Sequence, residues 1–109
     1  LALGTASLVI ESLKFAKKLK IDWKKFYDLS SLGSGSSKSL DRIAPQAIKN
    51  NYDSYFFTIN NTIKDFKYML KLFDGNKDMI KIIKSFLKPY IKEQKKLEHN
   101  ALISHRLKN

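Results

Sequence analysis

Cysteine is absent, glycine and proline occur only four times and twice, and arginine is confined to Arg42 and Arg106. Without cysteine there can be no disulfide scaffold, thiolate metal site or cysteine nucleophile. Few glycines and prolines, and no alternating apolar runs bounded by turn signals, argue against a sheet. Long apolar runs are lacking too. Leu1 to Ile10 is well short of the roughly 20 residues needed to span a bilayer. It also has no basic segment before it and is diluted by Gly4, Thr5 and Ser7, so it does not read as a signal-peptide core. A cytoplasmic protein with no membrane partner is expected.

Positive charge is what the chain has in excess, with a formal net charge of +11. Lysines attract phosphate through counterion release. Specific base readout and bidentate phosphate recognition, however, favour arginine. With two arginines among 21 basic residues, the surplus reads as solvated lysine, and no specific nucleic acid is expected. At 109 residues the chain has room for one hydrophobic core, but not for a nucleotide-binding domain beside a substrate domain. It opens at Leu1 inside an apolar helical pattern, so a fragment is expected, covering 1-109 as a single domain.

The apolar spacing predicts an all-α fold, a compact bundle of five to six helices. The first, about Leu1 to Lys20, places Ala6, Val9, Ile10, Leu13 and Ala16 on one face, with Glu11 free to pair with Lys14. Asp22 is spaced to cap a short aromatic helix carrying Trp23, Phe26, Tyr27 and Leu29. Ser30 to Ser37 reads as a flexible loop whose Ser36 or Ser37 caps the next element. Pro45 predicts two short helices, or one kinked helix, between Lys38 and Asn50. Thr58 starts a regular helix with Ile59, Ile63, Phe66, Leu70 and Phe73 in one stripe, and Asp74-Gly75 ends it. Asn76 opens a helix to about Lys96, with Met79, Ile83, Phe86, Leu87, Tyr90 and Ile91 inward and Pro89 bending it. The tail from His99 to Asn109 is expected to form a last short helix.

Chemistry-bearing residues are few. His99 and His105 are six apart, without a suitably spaced carboxylate, so they read as surface histidines and no metal site is expected. The serines of Ser30 to Ser39 have no histidine and acid partner nearby in sequence and suit loop and cap roles. Lys81, Lys84, Lys88, Lys92 and Lys95 form the polar side of an amphipathic helix, apolar side inward. Taken alone, Lys64 belongs to a solvated face with Asn60, Lys67 and Lys71.

Lys64-Asp65-Phe66 lies mid-helix. Upstream stand Ile10-Glu11-Ser12-Leu13-Lys14-Phe15-Ala16, Leu19-Lys20-Ile21-Asp22, Gly33-Ser34-Gly35-Ser36-Ser37-Lys38-Ser39-Leu40 and Pro45. Over roughly its first two thirds the chain resembles the helical C-terminal domain of the β-hydroxyacid dehydrogenases, the family of 3-hydroxyisobutyrate dehydrogenase and the 6-phosphogluconate dehydrogenase-like enzymes. Their pattern is Lys-Asp-Leu-Gly-x-Ala-x-Asp. Lys64 and Asp65 match it and Phe66 is a conservative change. Lys67, Met69 and Lys71 depart from its Gly, Ala and Asp, which removes the small side chains that close helix packing uses there.

The resemblance implies an NAD(P)-dependent oxidoreductase acting on a small 3-hydroxy acid, with the helical domain forming one wall of the cleft and a homo-oligomer interface. It implies that Lys64 touches NAD or NADP, or the substrate. It implies no catalytic residue in this chain. The family's catalytic lysine lies in a Gly-x-x-x-Lys-x-x-x-Asn motif ending just before the residue matching Leu1, and its cofactor fingerprint belongs to an absent N-terminal domain. The fragment alone is not expected to be active. A different class, a free-standing basic helical module that binds nucleic acid or an acidic partner, is the competing expectation.

Overall fold

A computed structural model of the chain describes residues 1–98 and 100–108. Those residues hold five α-helices, two short 3-10 helices and no strand, the all-α class expected. The helices sort into two compact units, one of Leu1–Phe56 with the described residues of Ser104–Asn109, the other of Phe57–Ile103.

The first unit holds α1 (Ala2–Lys18), α2 (Trp23–Ser30) and α3 (Lys38–Ile48). In α1, Ala6, Ile10, Leu13 and Ala16 are buried as expected. Ser7 is also fully buried, whereas Val9 is only half-buried, because the inward stripe follows 7, 10, 13 and 16. The helix stops two residues short of Lys20, which takes φ 61°. There Lys20 N donates to Lys17 O at 3.0 Å and Ile21 N to Ala16 O at 2.8 Å, a Schellman closure without glycine. The same pair of bonds closes α3: Asn50, at φ 63°, donates to Ala47 O at 2.9 Å, and Asn51 to Gln46 O at 2.8 Å.

Asp22 caps α2 by accepting from Lys24 N, and Ser37 caps α3 by accepting from Leu40 N at 3.0 Å. Between them, the stretch expected to be a loop contains a 3-10 turn at Gly33–Gly35. Gly35 is required there, since a Cβ would meet Ser30 O at 2.5 Å. Of the two alternatives left open by Pro45, the chain adopts one helix, with Pro45 inside it and Leu40, Ile43, Ala44 and Ala47 buried. Trp23 Nε1 donates to Leu13 O at 2.9 Å, and Tyr27 Oη to Asp41 Oδ1 at 2.8 Å, so α2 is tied to both neighbours.

The tail adds to this unit what the spacing of residues did not suggest. Ser104 Oγ donates to Tyr52 O at 2.6 Å, and Arg106 Nη2 donates to Glu11 Oε2 at 2.6 Å. Glu11 therefore pairs with a residue 95 positions away, rather than with Lys14, because the tail delivers a buried guanidinium that needs a charged acceptor.

The second unit is an α-hairpin of α4 (Ile59–Leu72) and α5 (Lys77–Gln94). Thr58 and Asn76 cap the two helices, and Gly75, at φ 89°, turns the chain between them. Ile59, Ile63 and Phe66 are buried in α4, and Ile83, Leu87 and Tyr90 in α5. The Phe66 ring stacks on Phe86 at 6.2 Å and meets Tyr90 at 6.0 Å. Thr62 replaces Leu70 and Phe73 in the buried stripe; its hydroxyl is satisfied by donating to Thr58 O at 2.9 Å. Beside the start of α4, Thr58 bridges Leu102 in antiparallel fashion, with Ile59 N bonding Ala101 O at 2.8 Å and Ile103 N bonding Phe57 O at 2.9 Å. The expected last helix is the 3-10 helix Ile103–Leu107.

Candidate functional site

An α-helix turns about 100° per residue, so Asn60, Lys64, Lys67, Tyr68 and Lys71 fall within an arc of roughly 100° on α4, away from the Ile59, Thr62 and Phe66 side. That arc carries an open hollow of about 470 Å³ lined by α4 alone: Asn60, Ile63, Lys64, Asp65, Lys67, Tyr68 and Lys71. Lys64, Lys67 and Lys71 are exposed, and Tyr68 keeps 63% of its surface in solvent. Asn60 Oδ1 accepts from Gln94 Nε2 at 2.8 Å, which fixes one end of the hollow to α5.

Among the described residues no ion pair engages Lys64, Lys67 or Lys71. Asp65 is the lone carboxylate of the lining. The hollow therefore presents three available ammonium groups beside an aromatic ring, which suits an anionic ligand with a flat portion. The structure brings Lys64 and Asp65 together with Lys67 and Lys71. Tyr68 is the member that spacing could have identified but did not, since it lies one turn from Lys64.

The remaining candidates are dispersed. His105 is partly buried rather than a surface residue, and its Nε2 meets Asp53 Oδ1 at 2.6 Å, because the 3-10 tail carries it against the 51–56 segment. His99 lies outside the described residues. No group of three or more His, Cys, Asp or Glu among the described residues is arranged to hold a metal ion. Ser37 serves as a cap, and Ser31 Oγ donates to Asp28 O at 3.3 Å. Lys81, Lys84, Lys88 and Lys92 are exposed along α5, opposite the buried Ile83, Leu87 and Tyr90, and Lys95 is exposed at its C-cap. No described helix is long and apolar enough to cross a membrane.

Comparison with known proteins gives this geometry a setting. The family model described as NAD-binding of NADP-dependent 3-hydroxyisobutyrate dehydrogenase matches residues 1–88. An Arabidopsis thaliana protein described as probable 3-hydroxyisobutyrate dehydrogenase-like 1, mitochondrial, is 35% identical over 57 residues. That match covers 52% of this chain and 17% of the relative. No solved structure matches.

Proposed function

Because the chain belongs to the family of the NAD-binding region of NADP-dependent 3-hydroxyisobutyrate dehydrogenases, we propose that it is the helical C-terminal domain of an NAD(P)-dependent oxidoreductase acting on a small 3-hydroxy acid. The observation that carries this is the α4 hollow, where Lys64 shares an open face with Lys67, Tyr68 and Lys71. The lining fits the anionic parts of a dinucleotide or hydroxy acid: ammonium groups outnumber carboxylates, and Tyr68 offers an exposed ring. When bound, NAD or NADP supplies the hydride acceptor. Lys64 holds the negative charge of cofactor or substrate and closes one wall of the cleft, while the proton at the hydroxyl is handled by a lysine upstream of this chain. Asp65, half-buried, is given no part in the reaction.

Self-association through the helical domain belongs to the same proposal. Leu8 and Phe15 on α1 and Leu19 at its C-cap leave 57%, 59% and 53% of their surfaces exposed, an apolar stripe suited to a second copy. Sedimentation of the chain should give a dimer or larger species, and a monomer at high concentration would remove this part.

The coding sequence upstream of Leu1 tests the domain assignment. A Gly-x-x-x-Lys-x-x-x-Asn motif ending just before Leu1, with a glycine-rich fingerprint far upstream, is the expected result; an unrelated upstream sequence would overturn it. The basic-module alternative draws support from the exposed lysines of α5. It predicts retention on a polyanion column that falls steeply with salt and survives Lys64→Met. The dehydrogenase assignment predicts only the weak retention of a cationic surface.

A further inference from the structure

A second hollow lies in the first unit, of about 610 Å³, between one face of α3 (Lys38, Arg42, Gln46) and the 51–56 segment (Asn51, Ser54, Phe56). Most of its polar groups are already engaged. Asp41 accepts the Tyr27 hydroxyl at 2.8 Å, and Asp53 meets His105 at 2.6 Å. Asn51 Nδ2 donates to Gln46 Oε1 at 3.0 Å, and its Oδ1 accepts from Asp53 N at 3.0 Å.

Lys38 and Arg42 remain. Neither cation has a carboxylate partner among the described residues. The Ser54 Oγ makes no hydrogen bond but is shielded from solvent, which places it out of reach of a ligand in the hollow. Arg42 lies over the Tyr55 ring at 5.7 Å, which holds its guanidinium in place and reduces the ordering needed to bind a planar anion. Lys38 opens α3, so an anion there also meets the positive end of the helix dipole. Phe56, 81% exposed, provides an apolar wall at the rim.

We propose that this hollow binds a small organic monocarboxylate with an apolar body, its carboxylate held by Arg42 and Lys38 and its body resting on Phe56. A single charge suits the site because Asp41 and Asp53 line the same hollow and repel a dianion. The guanidinium fork matches a carboxylate in two parallel hydrogen bonds. The proposal does not depend on the role given to Lys64.

The test is a titration of this 109-residue chain, followed by backbone amide NMR, with benzoate, its neutral analogue benzamide, and inorganic phosphate. Saturable benzoate shifts centred on Arg42 and on residues 51–56 are expected, with affinity at least about tenfold above benzamide. Arg42→Gln should weaken benzoate about tenfold, and Lys38→Gln about threefold to fivefold. Lys38 is exposed, so its variant keeps the test decisive should Arg42→Gln fail to fold. Equal binding of benzamide, tighter binding of phosphate, shifts centred on α4, or unchanged benzoate affinity in both cation variants would each overturn the proposal.

Discussion

Arg106 Nη2 donates to Glu11 Oε2 at 2.6 Å, across 95 positions of chain, with the arginine side chain 1% exposed and the glutamate 36%. A buried guanidinium left without its carboxylate is costly, whereas Glu11, 36% exposed, can be hydrated when Arg106 is replaced by an apolar side chain. Glu11→Ala should therefore destabilise the chain by about 2–4 kcal/mol, and Arg106→Met by less than about 2 kcal/mol. Urea unfolding of both single variants and the double variant would reveal the coupling; equal losses from the two single variants would contradict this account.

That pair also marks where sequence reasoning stops. The caps at Asp22, Ser37, Thr58 and Asn76 were legible because each is a short oxygen-bearing side chain placed just before an apolar-periodic run. The inward stripes of α4 and α5 were legible as far as Phe66 and Tyr90, whereas Ile91, expected inward, is 36% exposed. Glu11 with Arg106, and His105 with Asp53, were not, because helical periodicity says nothing about which elements meet across 95 or 52 residues. Ser7 and Thr62 were missed for another reason: a hydroxyl is tolerated inside when a local group satisfies it, as Thr58 O does for Thr62. Lys64 was singled out by resemblance alone, and Tyr68 beside it emerged only with the surface of α4.

Lys20 occupies the left-handed position that closes α1, where side chains beyond glycine and asparagine are strained. Lys20→Gly should raise stability by about 0.5–1 kcal/mol, because relief of that strain exceeds the added freedom of the unfolded chain. Asn50→Gly, at the equivalent point of α3, should give less, since asparagine tolerates this conformation better. Thermal unfolding of the two variants checks the order.

Tyr27 should ionise above the ordinary tyrosine value of 10.0, chiefly because its hydroxyl donates to Asp41, with burial and the charges of Asp41 and Asp28 adding to the effect. The neutral phenol is favoured in the folded state. Its stabilising contribution is thus complete below pH 10 and disappears as pH rises through the raised folded value. Asp41→Asn should move the Tyr27 titration back toward 10.0, followed by the phenol carbon resonance in NMR. A Tyr27 titration unchanged by the substitution would remove Asp41 as the cause.

Phe66 packs between Phe86 and Tyr90 and is 2% exposed, so Phe66→Ala removes the centre of the α4–α5 contact. A loss of about 3–5 kcal/mol is expected. Hydrogen exchange should locate that loss in α4 and α5. Protection lost equally in α1 to α3 would mean that the two units unfold together, and protection retained everywhere would mean that Phe66 is not central to the hairpin.

Lys64→Met separates function from folding. The side chain is exposed and has no ion-pair partner among the described residues, so its replacement should change stability by less than about 0.5 kcal/mol. On the proposed function, kcat/KM of a dehydrogenase containing this chain should fall about tenfold or more, a loss of about 1.4 kcal/mol in transition-state stabilisation. A rise in KM alone would assign the lysine to uniform binding, and equal falls in kcat and kcat/KM to an interaction gained only at the transition state. Lys67→Met, on the same face but outside the Lys-Asp pair, should have a smaller effect than Lys64→Met. Full activity in Lys64→Met would detach the α4 hollow from the reaction altogether.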